Sequence, residues 1–139
     1  MGQIKVFLDS DVIVSAFLSS KGASFEIVKN SNIAKVISES IKIEVEDVSK
    51  RLNFSAADKG IVEGIEVVTL KLEKARIVEK YFPYVLDEED SHVVAGAEKA
   101  KVRFLLTHNT RHFQTEKIKR DFGILTMKPG IFLQFLRSN

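Results

Sequence analysis

Ile4-Lys5-Val6-Phe7-Leu8-Asp9-Ser10-Asp11 decides how this 139-residue chain is read. A short apolar run that ends abruptly in two carboxylates is the pattern of a buried parallel strand whose carboxyl end opens onto a site. Ligands of open α/β sheets bind in the crevice beyond the strand ends. An Asp in this place can equally cap the helix that follows. Ser10 or Asp11 can cap a helix running from Val12 toward Leu18, which leaves Asp9 without a structural duty. Its meaning then depends on partners elsewhere in the chain.

Further apolar runs at 33–37, 102–106 and 123–126 are short and bounded by polar or turn residues, as buried strands are. The segments between them carry helical spacing, and this alternation predicts an α/β sandwich with a mostly parallel sheet. A first helix holds Val12, Ile13, Ala16 and Phe17 on one face, and a second lies near 23–29 after the Lys21-Gly22 step. A third follows Ser38 with Ile41, Val45, Val48 and Leu52 inward. The spacing of Ile61, Val62, Ile65 and Val68 predicts a helix over about 56–70, against the β-branched cluster Val67-Val68-Thr69. A short extended piece is expected at 75–79, before Pro83. Asp87 to Asp90 load the first turn of a helix reaching about Lys99 through Val93, Val94 and Ala97, as the helix dipole favours. The small residues Ala95, Gly96 and Ala97 let that helix approach a neighbour closely. Pro129 starts a last helix through Phe132, Phe135 and Leu136.

With 45% hydrophobic and 29% charged residues, the chain has the composition of an ordinary soluble globular protein, and its length suits a single domain over 1–139 with one core. It has no cysteine, which excludes a disulfide framework, a thiolate zinc site and a thiol nucleophile. No apolar run is long enough to cross a bilayer and the N-terminus lacks the signal-peptide pattern, so no membrane association and a cytoplasmic location are expected. A net charge of +2 is too small for a broad footprint on nucleic acid. The charge is nevertheless uneven: Asp87-Glu88-Glu89-Asp90 is a run of acids, whereas 110–120 carries Arg111, Lys117, Lys119 and Arg120 against the single acid Glu116.

Three acidic positions stand out: Asp9 at the end of the first strand, Glu44 on the helix after the second, and Asp90 at the start of the helix before 102–106. If those strands are parallel neighbours, Asp9 and Asp90 share one edge and Glu44 reaches across from its helix. Converging carboxylates repel one another, so such a cluster implies a cation or raised pKa values. Mg²⁺ prefers carboxylate oxygen and is usually held by one or two carboxylates, waters and substrate phosphates. A site of this kind cleaves phosphodiesters without a Ser, Cys or His nucleophile.

Val6-Phe7-Leu8-Asp9-Ser10-Asp11-Val12, Ile41-Lys42-Ile43-Glu44, Asp90-Ser91-His92-Val93-Val94-Ala95-Gly96-Ala97 and Phe104-Leu105-Leu106-Thr107-His108-Asn109-Thr110-Arg111-His112-Phe113 together resemble the successive motifs of PIN-domain proteins. They are similar in particular to the small VapC-like toxin nucleases of prokaryotic toxin–antitoxin pairs. Gly123-Ile124-Leu125-Thr126-Met127-Lys128-Pro129-Gly130-Ile131-Phe132-Leu133 resembles the C-terminal strand and helix of that group. The resemblance spans nearly the whole chain in order, with little contribution from 55–85. It implies a PIN-like three-layer α/β sandwich with a central, mostly parallel sheet flanked by helices. It also implies Mg²⁺ or Mn²⁺ at an acidic site and endonuclease action on single-stranded RNA. Asp9, Glu44 and Asp90 carry over as the metal-binding acids, and an antitoxin protein and a homodimer are the implied partners.

Two positions depart from the family pattern. The second position of the opening motif is often Asn there and is Asp11 here. The family frequently has a fourth acid near the end of the fourth strand, where this chain has Asn109 and, three residues on, His112. Asn109 brings no charge but can coordinate through its carbonyl oxygen or hydrogen-bond a water. It is therefore grouped with Asp9, Glu44 and Asp90 as a candidate catalytic residue.

Plainer readings stand beside these. Asp9 can be a helix cap. Glu39, Glu46 and Asp47 compete with Glu44, and Asp87, Glu88 and Glu89 compete with Asp90. Ser10, Asp11, Asp87 and Thr107 are candidates for orienting the acids, or for ordinary capping. His92, His108 and His112 have no matched spacing and read as surface or scaffold. Arg111 and Lys117 are candidate RNA-backbone contacts or part of a solvated basic face. Two other functions remain: a catalytically weakened PIN-like module that only binds RNA or protein, and a haloacid-dehalogenase-type phosphatase in which Asp9 is the nucleophile and Asp11 its acid/base.

Overall fold

The computed structural model describes residues 3–54 and 62–138. Five strands form one parallel sheet: β1 (Ile4–Leu8), β2 (Ile33–Ser38), β3 (Glu66–Val68), β4 (Phe104–Leu106) and β5 (Leu125–Met127). Seven α-helices occur among the described residues: α1 (Ser10–Leu18), α2 (Ala23–Lys29), α3 (Glu39–Arg51), α4 (Lys74–Tyr81), α5 (Ser91–Ala100), α6 (Thr115–Phe122) and α7 (Pro129–Arg137). The order across the sheet is β3-β2-β1-β4-β5. The chain therefore winds outward from β1 in one direction and then returns to build on its other side. The point of reversal, between the carboxyl ends of β1 and β4, is where ligands bind in such sheets.

The fold is a three-layer α/β sandwich, as the alternation of elements predicted. Both faces of β1 and β4 are covered, so Val6, Phe7, Leu8, Leu105 and Leu106 are all inaccessible to solvent. On α1, Val12, Ile13 and Ala16 are buried, and Phe17 meets the edge of Phe54 at 4.9 Å. On α5, Val93, Val94 and Ala97 are buried as expected. Gly96 explains how closely this helix approaches the sheet: a Cβ built there falls 2.4 Å from Phe7 Cζ. On α7, Phe132 is buried and packs on Phe104 at a ring distance of 5.2 Å.

Several expected elements differ. Of the helix expected over 56–70, residues 55–61 lie outside the described residues, and 66–68 form β3. Its β-branched residues pair with the edge of β2, Ile37 opposite Val67 and Ser38 opposite Val68. The extended piece expected at 75–79 is part of α4, because Ile77 and Tyr81, one turn apart, bury a common face. Leu52 caps α3 and is half exposed, and the inward place is taken by Ser49, whose hydroxyl donates to Val45 O at 2.7 Å. Strands β4 and β5 begin two residues later than their apolar runs. Before β5, α6 occupies 115–122 and ends at Gly123 with φ +68°, a conformation that suits glycine. Asp87 to Asp90 form a single 3₁₀ turn (Glu88–Asp90) ahead of α5 rather than its first α turn.

Candidate metal centre

Strand β1 passes into α1 with no linker, so Asp9 does two jobs. Its Oδ1 accepts the Ser10 N–H at 2.8 Å, making Asp9 itself the N-cap of α1, where Ser10 or Asp11 had been expected. Its Oδ2 accepts from the Thr107 hydroxyl at 2.9 Å. This second bond follows from the register: Leu8 lies opposite Leu106, and the ladder continues with Asp9 N–H donating to Leu106 O at 3.0 Å. The next residues along, Asp9 and Thr107, are thereby set side by side at the switch point.

The other acids arrive from three further elements. Ser38 closes β2 and caps α3 through the Ile41 N–H at 3.2 Å, and α3 then carries Glu44 over the same edge. Asp87 accepts the Glu89 N–H with its side chain and the Asp90 N–H with its carbonyl, fixing the 3₁₀ turn that presents Asp90. Asp11, on the first turn of α1, accepts from His108 N–H, from the Thr107 hydroxyl at 3.3 Å and from Asn109 Nδ2 at 3.0 Å. Asp9, Ser10, Asp11, Glu44, Asp90 and Asn109 all line one cleft of about 690 Å³. The competing acids Glu39, Glu88 and Glu89 line it too; Glu39 accepts from the Thr69 hydroxyl at 3.2 Å, and Glu89 pairs with Lys74 at 3.5 Å.

Electrostatics mark this cleft as short of positive charge. Burial, then the Asp11 charge, push the Asp9 carboxyl up to about 6, against the bonds from Thr107 and Ser10. Burial also raises Asp11 and Asp90, with Asp90 adding to the rise at Asp11 and Asp9 to the rise at Asp90. Glu44 moves the other way, because His92 Nε2 stands 3.1 Å from its Oε1 and Ser10 adds a hydrogen bond. Burial opposes a charge on His92, but Glu44, Asp9 and Asp90 outweigh it and raise its pKa. His92 thus orients Glu44, a role that spacing alone could not signal because the partner lies on another helix. His112 Nδ1 lies 3.7 Å from Asp90, and His108 Nε2 is 3.0 Å from the Ser24 hydroxyl, so these two also belong to the scaffold of the site.

As placed, no group of three or more His, Asp or Glu among the described residues stands ready to hold an ion. Glu44 is turned to His92, and Asp11 to the loop after β4. The donor set nonetheless fits a hard cation, which needs only one or two carboxylates and keeps its waters. A cation would also offset the burial, and the smaller mutual repulsion, that hold Asp9, Asp11 and Asp90 above their ordinary range.

The two departures from the family pattern meet in a single hydrogen bond. Asp11 and Asn109 are in contact, the Asn109 amide donating to the Asp11 carboxylate at 3.0 Å from the loop after β4. Of the two basic residues singled out, Arg111 lies beside the site on the 3₁₀ turn after β4. Lys117 is elsewhere: its ammonium donates to Pro83 O at 3.3 Å and sits 5.2 Å from the Tyr84 ring centre.

A family model described as PIN domain matches residues 5–111. The chain belongs to the PIN domain family, whose members are generally nucleases. Among solved structures it is similar to a toxin–antitoxin complex from Klebsiella pneumoniae, with 17% identity, TM-score 0.67, and 89% of this chain and 97% of that one covered. It is also similar to PAE2754 from Pyrobaculum aerophilum, with 14% identity, TM-score 0.60 and 99% of both chains covered. A third is VapBC2 from Rickettsia felis bound to a DNA fragment from its promoter, with 12% identity, TM-score 0.58, and 88% and 97% covered. At these identities the likeness is one of fold. No curated protein matches the chain. No helix among the described residues is long and apolar enough to cross a membrane.

Proposed function

We propose that this protein is a metal-dependent endoribonuclease that hydrolyses phosphodiesters of single-stranded RNA, as the toxin of a toxin–antitoxin pair. The observation that carries this reading is the convergence of Asp9, Asp11, Glu44 and Asp90 on one cleft at the switch point of a PIN-domain sheet. Asp9 and Asp90, with help from Glu44, would hold Mg²⁺ or Mn²⁺, and a bound ion would supply polarisation of the phosphate, a lowered pKa for water and offset of charge on the leaving oxygen.

The chain's own residues supply the rest. Thr107 and Ser10 hold the Asp9 carboxylate in one orientation, and His92 does the same for Glu44. Asp11, anchored by the 107–109 loop and held above the usual carboxylate range, takes the proton of the attacking water as its oxygen bonds to phosphorus. The P–O bond to the leaving ribose oxygen then breaks, and that oxygen is protonated from solvent. Asn109 contributes by fixing Asp11. The likeness to toxin–antitoxin complexes supports an antitoxin as protein partner, while a homodimer and a cytoplasmic location rest on the sequence resemblance alone.

The test is incubation of the purified chain with mixed-sequence single-stranded RNA in Mn²⁺ or in chelator, beside Asp90→Asn. Cleavage that needs Mn²⁺ and is lost in the variant is the expected result. Binding without cleavage in any metal would instead mark a PIN module that only binds RNA or protein.

A further inference from the structure

A second groove, of about 530 Å³, opens next to the acidic cleft, where the chain leaves β4 and β5. Thr110 and Arg111, from the turn after β4, and Thr126, Met127, Lys128 and Ile131, from β5 and the start of α7, line it. The two hollows adjoin at Asn109-Thr110: Asn109 lines the first and Thr110 the second. Their charges are opposite in sign. The groove holds two exposed cations, Arg111 and Lys128, whose side chains form no ion pair or hydrogen bond with any described residue. Other basic side chains are engaged: Arg120 pairs with Asp121, Arg137 with Glu26, Lys74 with Glu89 and Lys5 with Glu66. Lys128 is near enough to the cleft for its charge to act on His108, whose N–H donates to Asp11. Thr126 Oγ1 is buried in the same lining with no hydrogen-bond partner among the described residues, and Ile131 is half exposed.

Four carboxylates at one edge repel a polyanion, so a chain of phosphates that enters the cleft needs cations on the way out. Free cations beside an acidic centre provide this, and phosphate contacts of this kind set the register of a nucleic acid rather than read its sequence. We propose that this groove holds the backbone phosphates of the nucleotides flanking the cleaved bond of single-stranded RNA, with Arg111 and Lys128 as the contacts and the Ile131 side chain as a floor for a ribose or base. The inference rests on the nuclease reading of the neighbouring cleft and adds the path of its substrate.

Anisotropy of a labelled 12-nucleotide single-stranded RNA in chelator, across a series of KCl concentrations, tests it. The proteins compared are wild type, Arg111→Ala, Lys128→Ala, the double variant, and Lys99→Ala at the far end of α5, each checked for folding by circular dichroism. Each groove substitution is expected to weaken binding irrespective of sequence and to reduce the slope of log K against log salt by about 0.7, the double variant by about 1.4. Lys99→Ala, with the same change in net charge, keeps the wild-type slope. A double variant with wild-type affinity and slope overturns the groove. So does one that binds RNA normally but loses affinity for poly-glutamate, which would assign the groove to an acidic protein. Cleavage in Mn²⁺ is read on the same samples: groove-dependent binding without cleavage would sink the nuclease reading alone, cleavage with an unchanged slope the groove alone, and no RNA binding by wild type would sink both.

Discussion

Thr107 Oγ1 stands 2.9 Å from Asp9 Oδ2, joining residues 98 positions apart at the ends of neighbouring parallel strands. Thr107 is inaccessible to solvent and Asp9 nearly so. The hydroxyl is also 3.3 Å from Asp11, so its one proton is placed between two carboxylates that repel each other.

Thr107→Val keeps the shape and removes that proton. A buried carboxylate that loses a donor costs about 2 kcal/mol. Urea unfolding in chelator at pH 7.5 should show a loss of that size, and Thr107→Ser, which keeps the hydroxyl, should lose much less. Equal losses in the two variants would mean that packing of the methyl group, not the hydrogen bond, is what matters.

The Asp9 carboxyl, raised from 3.8 to about 6 chiefly by burial and by Asp11, makes stability depend on pH. Between about pH 4 and 6 the native state holds a proton that the unfolded chain has released, so this group's contribution is full below pH 4 and is lost as pH rises through 6. Asp9→Asn does not titrate there. Its stability curve in chelator should lack that decline, leaving it more stable than wild type at pH 7.5 by about 3 kcal/mol. A wild type that gained stability relative to the variant over the same window would contradict the raised value. Mn²⁺ should reverse the order at pH 7.5 by raising the Tm of wild type and not of the variant, since a ligand of the folded state stabilises it.

Asn109→Asp exchanges an amide donor, 3.0 Å from Asp11, for a second carboxylate. In chelator the variant should lose about 1 kcal/mol, a modest amount because position 109 is exposed to solvent. In Mn²⁺ its Tm should rise further than that of wild type. A gain in stability without metal would show that position 109 does not feel the acids.

Gly96→Ala tests the seating of the helix that carries Asp90 at its head. Alanine favours a helix by ~1 kcal/mol over glycine, but its Cβ would fall 2.4 Å from Phe7 Cζ in a ring that cannot reach solvent. Overpacking costs about 1–3 kcal/mol, so a net loss of about 1 kcal/mol is expected. A net gain would mean that Phe7 has room to turn.

Much of the site was legible because β1 announces itself twice, by its continuous apolar run and by the carboxylates that end it. Asp90 and Glu44 could be placed from the strands and helices they adjoin. The helix expected over 56–70 failed at β3 because three residues pairing with a sheet edge look the same in sequence as one turn of an amphipathic helix. The extended piece at 75–79 failed because a short helix with two buried residues carries too little periodicity to be recognised.

Local sequence by itself determined the strand–acid motifs, the small face of α5, the caps at Ser38 and Asp87, and the absence of any thiol chemistry, since each depends on residues a few positions apart. Tertiary structure alone decided that Asp9 caps α1 while bonding Thr107, that His92 orients Glu44, that Asp11 meets Asn109, and that Arg111 shares a groove with Lys128 while Lys117 is drawn to Tyr84. Those pairs lie on different elements, and only the sheet order and register bring them within reach of one another.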